Sequence, residues 1–270
     1  MPAVLAPPKT PLLKGLALGL IAGVTSGLFG IGGGAVMVPL LVLWLAQTQH
    51  RAHATSLAAI IVTAAAGMAK FATVGEVLFG AGLGIAAGAT VGAFLGAQLM
   101  HRLSATRLRQ GFAVLMIVVS VQMLFGFTPD AGAVALSGPI AIVGYLVLGV
   151  TVGVLSGLMG VGGGVMLVPA MVLLFGFSQH ASEGTSLLVI IPTAVIGSIR
   201  HAQHGYTDWR LGIILGAGGV AGAWLGATVA LGIDAELLQR MFAIFLLGTG
   251  ANLVWSTRRR EETPAEPVIT

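Results

Sequence analysis

Apolar residues run along this chain in long blocks, and polar and charged residues collect in the short intervals between them. Ten apolar segments emerge, at about residues 12–30, 35–46, 54–69, 77–100, 110–127, 139–160, 165–177, 184–199, 211–231 and 237–255. Most are long enough for a helix to cross a hydrocarbon core of about 30 Å, which takes about 20 residues at 1.5 Å each. The strict apolar–polar alternation of a β-barrel strand is absent. The pattern predicts an all-α polytopic membrane protein.

Composition strengthens that prediction. Hydrophobic residues make up 56% of the 270 and charged residues 8%, against about 25% charged in an ordinary soluble domain, and mean hydropathy is +0.99. Lys9 and Lys14 ahead of an apolar run resemble the start of a signal peptide. The run continues without a small-residue cleavage site, so it reads as the first membrane segment. The net charge of +4 does not point to nucleic acid, because basic residues sit singly between segments or, as Arg258, Arg259 and Arg260, directly after the last one. Membrane topology accounts for them.

The same pattern occurs twice. Ser26-Gly-Leu-Phe-Gly-Ile-Gly-Gly-Gly-Ala-Val-Met-Val-Pro39 returns as Ser156 to Pro169, 130 positions later. The offset holds without a gap: His50 matches His180, Thr55 and Ser56 match Thr185 and Ser186, Lys70 matches Arg200, and Phe112 matches Phe242. A duplicated fold follows. Five segments per copy is an odd number, so the second copy is expected to enter the membrane upside down, giving two inverted-topology repeats of five helical segments each. The first repeat covers 12–127, a linker with Pro129, Asp130 and Gly132 covers 128–138, the second repeat covers 139–255, and a polar tail covers 256–270.

Charge placement sets an orientation. With the N-terminus cytoplasmic, only Lys70 and Arg240 of the 13 Lys and Arg fall outside, a strong positive-inside bias. Both termini are expected on the cytoplasmic side of the inner membrane. Segments two and seven are short, about 18 Å at 12 residues. They either span fully or return as re-entrant halves of hairpins with segments one and six, and the charge count fits both.

The triple glycines break the helices. Each Gly costs about 1 kcal/mol against Ala in a helix interior, and hydrocarbon offers freed backbone groups no partner, so such breaks belong where protein or a water-filled cavity surrounds them. Gly30, Gly32, Gly33 and Gly34, with Gly160, Gly162, Gly163 and Gly164, are candidate anion-binding turns. A helix restarting there presents unpaired N–H groups and the positive end of its dipole. Ser26, Ser156, Thr55, Ser56, Thr185 and Ser186 offer hydroxyls. Lys70 and Arg200 are candidate entrance charges, with snorkelling at a helix end as the alternative. Close helix packing is the alternative for the turns, and it is the reading for Gly84, Gly88, Gly92 and Gly96 and for Gly218, Gly222 and Gly226, which recur every fourth residue.

Several chemistries are not expected. The stretch Gly30 to Ala35 formally matches a dinucleotide fingerprint, but it interrupts an apolar span instead of following a strand. With no cysteine, disulfides and thiolate sites are ruled out. No metal-binding cluster or nucleophile and base set appears within a span, so neither a cofactor nor a catalytic site is expected. Glu183 precedes the eighth segment and reads as a loop residue, as do His50 and His180. No Asp or Glu lies well inside a segment, so the intramembrane carboxylate of a proton-coupled carrier is not expected. The coupling ion, H⁺ or Na⁺, stays open.

The two glycine turns with Pro39 and Pro169, and the stretch His180 to Leu187 containing Gly184, Thr185 and Ser186, resemble the sulfite exporter TauE/SafE family over nearly the whole chain. The resemblance implies an inner-membrane transporter of small sulfur-containing anions, sulfite or organosulfonates. The absence of cysteine separates this chain from related thiosulfate carriers. A passive anion channel and a non-transporting structural or assembly subunit are the rival readings.

Overall fold

The computed structural model describes residues 12–99, 105–125, 138–159, 163–203 and 205–262. The described residues form ten α-helices and no strand: α1 (Leu12–Phe29), α2 (Gly34–Leu45), α3 (Gln49–Ala72), α4 (Phe79–Leu99), α5 (Ala105–Leu124), α6 (Pro139–Met159), α7 (Gly164–Phe175), α8 (Gln179–Gln203), α9 (Trp209–Gly232) and α10 (Ala235–Glu262). Seven of them are long and apolar enough to cross a membrane. One helix stands for each expected segment.

Several helices extend beyond their apolar segments. α3 starts at Gln49 and α8 at Gln179, five residues ahead of their apolar segments. His50, His180 and Glu183 are therefore helical residues and not loop residues. In α8 the polar first turn is buried against protein, with Gln179 and Ser182 inside, while in α3 Gln49 and His50 are exposed and burial begins at Ala52, so at neither helix does apolar character mark the start. α10 likewise continues to Glu262, past the segment end at 255. Residues 126–137, which include all of the expected linker except Gly138, lie outside the described residues, as do 263–270.

Small residues decide which helices meet. Gly19, Gly23 and Gly27 of α1 lie against the backbone of α9 at Leu215, Gly219 and Ala223, while Gly218, Gly222 and Gly226 of α9 lie against the carbonyl oxygens of Leu16, Leu20 and Val24. A Cβ at any of these six would collide with backbone. α4 and α6 repeat the arrangement: Gly88, Gly92 and Gly96 meet Leu146, Val150 and Val154, and Gly149 and Gly153 meet Ile85 and Ala89. Without a hydrophobic drive between helices in lipid, such close backbone approach supplies the dispersion contact that holds them. Each half thus packs its first helix on the fourth helix of the other half.

The contacts also give directions. Arg200 stacks on Phe94, His53 meets His201 edge-on, and the Asp208 N–H donates to Thr55 Oγ1. This end therefore gathers the starts of α3 and α9 and the ends of α4 and α8. At the opposite end the Leu78 N–H donates to Thr185 Oγ1, and Tyr145 packs on Phe175 and Phe177, which gathers the starts of α4, α6 and α8 and the end of α7. Gly15, near the start of α1, sits beside Leu211 and Ile214, so α1 begins at the Arg200 end and α6 at the other.

α2 turns back along α1. Gly33 lies beside Ala22 and Ser26, and Met37 and Leu41 are buried in one cluster with Leu18, Ala22, Ala52, Leu211 and Leu215. The chain returns to the Arg200 end, where α3 begins. α6 and α7 make the same turn, with Gly163 beside Val152 and Ser156.

Candidate functional site

The break after α1 is made by backbone that only glycine adopts readily. Gly30, Gly32 and Gly33 have φ of 65°, 75° and 78°, and Gly163 in the second turn has φ of 61°, the left-handed region where a Cβ is penalised. Gly33 caps α2, its carbonyl accepting from Val36 and Met37 N–H groups. The N–H groups of Gly34 and Ala35 stand in the first turn, where no intrahelical partner exists. The two turns meet: a Cβ at Gly164 would press on the Ile31 carbonyl and on Ile190, and one at Gly32 would press on Ile190 and touch Ile60.

Above that meeting point is a cavity of about 290 Å³. Ile31, Gly34, Ser156, Ile60 and Ile190 line its inner part, while His53, Phe94, Arg200 and His201 line its outer part. Arg200 and Ile190 are ten residues apart on α8, about 15 Å of helix, so the cavity reaches from the helix end to half the depth of a bilayer about 30 Å thick. The Arg200 guanidinium is held 4.9 Å from the centroid of the Phe94 ring. That stacking holds the cation at the cavity wall, where its positive charge faces an entering oxyanion. The His53 and His201 rings stand 5.8 Å apart beside it. Thr90 and Thr193 also line the wall, though their hydroxyls are committed to Ala86 and to Ile190 carbonyls.

Of the residues singled out from the sequence, Gly34, Ser156 and Arg200 line this cavity. Gly30 lies against Glu183, Gly32 against Ile190 and Gly33 inside the α1–α2 hairpin. Ser26 and Ser186 are buried with no hydrogen-bond partner for their hydroxyl oxygens among the described residues, and Ser56 donates to the His53 carbonyl. Thr55 and Thr185 accept backbone N–H groups from Asp208 and Leu78, at 3.2 and 2.9 Å. Each thus clasps the loop before the other half's fourth helix, and neither lines the cavity. Lys70 lies at the opposite end, 5.6 Å from the centroid of the Trp224 ring, the repeat equivalent of the Arg200–Phe94 pair. Gly160 and Gly162 lie outside the described residues.

Sequence reasoning missed His53, His201 and Phe94, because residues on three different helices share no local spacing. It also misplaced Glu183. This residue is wholly buried one turn into α8, with Gln179 Nε2 donating to its Oε1 at 2.7 Å and Oε2 without a partner among the described residues. A signal did exist: Glu183 occupies the repeat position of His53.

Comparison with known proteins agrees with this architecture. The family model described as Sulfite exporter TauE/SafE matches residues 3–123 and 133–269. The chain is 29% identical over 263 residues to the probable membrane transporter protein YunE of Bacillus subtilis (strain 168), covering 89% of this chain and 96% of that one. It is 30% identical over 236 residues to the probable membrane transporter protein YdhB of the same organism, covering 87% and 96%. A probable membrane transporter protein of Xylella fastidiosa (strain 9a5c) is 28% identical over 248 residues, covering 90% and 95%. A duplicated, glycine-broken helical membrane protein matched from end to end by this model is a membrane transporter, and the chain belongs to the sulfite exporter TauE/SafE family.

Proposed function

We propose that this protein is a secondary transporter that moves small sulfur-containing anions, sulfite or organosulfonates, across the cytoplasmic membrane by alternating access. The observation that carries the reading is the cavity with a stacked Arg200 near its mouth and two meeting glycine turns at its inner end. An oxyanion entering past the guanidinium finds, at mid-depth, the Gly34 N–H at the positive end of α2 and the Ser156 hydroxyl. The apolar remainder of the wall, Leu57, Ile60 and Ile190 among it, suits a small organic group as well as a bare oxyanion.

The exchanged pairing of α1 with α9 and α6 with α4, and the opposed starts of α1 and α6, support reading the halves as inverted repeats. The cationic residues gathered at the Arg200 end support placing that end, with both termini, in the cytoplasm. Rocking about the turns would then open the Lys70 end as the Arg200 end closes.

The test is sulfite and organosulfonate flux in proteoliposomes of the purified chain. Saturable flux with counterflow is expected, and Gly32→Leu should abolish it by forcing a side chain into Ile190 at a left-handed φ. Linear flux without counterflow would replace the carrier with a channel, and unchanged flux in a folded Gly32→Leu would remove the turn from the pathway.

A further inference from the structure

We propose that Glu183 is a proton-binding site whose occupancy is required for the Lys70 end of the protein to close; the coupling role rests on the transport reading above, while the proton itself does not. Glu183 is fully buried in a membrane-spanning helix. One carboxylate oxygen is held by the Gln179 amide, and the other has no partner among the described residues. A carboxylate in that position, if ionised, carries an uncompensated charge out of water, and burying such a charge is far more costly than binding a proton.

Among the described residues no neighbouring charge relieves it. α4 and α7, which pack on α8, carry no titratable side chain among the described residues. α1 contributes only Lys14, at the far end. On α3, Lys70 is stacked on Trp224, and His53 is at the far end beside His201. Arg240 of α10 is paired with Glu236, and Asp234 caps that helix. In the α3–α4 link, Glu76 accepts from Ser178 Oγ at 3.4 Å. On α8 itself, His180 Nε2 is 3.0 Å from the Ala230 carbonyl. None forms an ion pair or hydrogen bond with Glu183.

A proton fits this place better than Na⁺. The other unpartnered buried oxygens nearby in sequence, on Gln179, Ser182 and Ser186, share one stripe of one helix at spacings of three and four. The facing Gly30 turn meets the backbone and Cβ of Glu183, whereas a cation needs a shell of several oxygens converging from different directions. A single hydroxyl hydrogen on Oε2 needs none.

The repeat gives the site its use. Glu183 is the equivalent of His53, which lines the open cavity beneath Arg200. When the opposite end opens, Glu183 takes the matching place beneath Lys70, in contact with water and free to ionise. An ionised carboxylate there repels an entering anion, and the end reseals only after Glu183 has regained its proton. Raising the pH therefore slows the cycle.

Two measurements test this. Infrared spectroscopy of the purified wild-type protein at neutral pH should show a protonated-carboxyl C=O band that is lost in Glu183→Gln and retained, shifted, in Glu183→Asp. Absence of the band in the folded wild type overturns the proposal whether or not any anion is transported. Sulfite exchange with the same pH on both sides of the proteoliposome should slow as pH rises, beyond the change seen in Glu183→Gln, where the dependence due to this residue is lost; Glu183→Asp should keep it. An identical pH profile in Glu183→Gln, or a Na⁺ requirement that disappears in that variant, overturns the assignment.

Discussion

At one end of the molecule, Arg200, Phe94, His53 and His201 surround an open cavity. At the other, their repeat equivalents are Lys70, Trp224, Glu183 and Phe71, of which Phe71 and Glu183 are fully buried. The scaffold around the two sets is the same: cation on aromatic ring, threonine clasping a loop N–H, glycine turn folded onto its own first helix. What differs is the side chain under the turn and whether that end is packed. On the proposed alternating-access reading, one framework would hold an open and a packed version of one site, which is what a transporter needs if its two states are to be close in energy.

The comparison can be broken most severely at its shared framework. Gly222→Leu and Gly92→Leu each drive a side chain into a carbonyl of the partner helix, Leu20 or Val150. Each should destabilise by about 3 kcal/mol or more, read as a fall in Tm of roughly 6–12 °C in detergent. Equal losses are expected, since both pairs are built alike, and a large loss at only one would show the halves to be held differently.

Next is the difference between the ends. Arg200→Gln should weaken anion binding about tenfold to a hundredfold, as expected for loss of a hydrogen bond to a charged group. Lys70→Gln should change it by less than about threefold while its end is closed. Isothermal titration with sulfite separates the two, and equal effects would mean that both ends sample the open form. The smallest expected effect is again symmetric. Thr55→Val and Thr185→Val each leave a loop N–H without its acceptor, at about 1–2 kcal/mol, and thermal unfolding of the single and double variants should show the costs adding.

Much of this was legible in the chain. Ten helices, the glycine breaks, the duplicated spacing and the packing faces on α4 and α9 all follow from apolar blocks and glycine positions, because lipid permits few alternatives for backbone. Pairing α1 with α9 instead of with its own half was not legible, since both fourth helices carry the same stripe. The true starts of α3 and α8 were hidden by polar first turns, that of α8, Gln179-His-Ala-Ser-Glu183, being held by packing that apolar runs do not register. Whether a hydroxyl faces an anion or a backbone N–H is equally invisible in sequence: Thr55 and Ser56 are neighbours, yet one accepts from Asp208 in the other half and the other donates to its own helix.

The exchanged pairing also imposes an order in time. During synthesis α4 is complete before α6 begins, so α6 inserts beside a waiting mate. α1 has no such luck: about 180 residues separate its end from the start of α9, roughly 10 to 35 s of elongation at about 5–20 residues per second. Throughout that interval Gly19, Gly23 and Gly27 present a bare seam to lipid or to whatever insertion machinery shields it. The arrival of α9 is therefore the event that closes the structure, and a nascent chain halted before Trp209 would hold a first helix that has nowhere to dock.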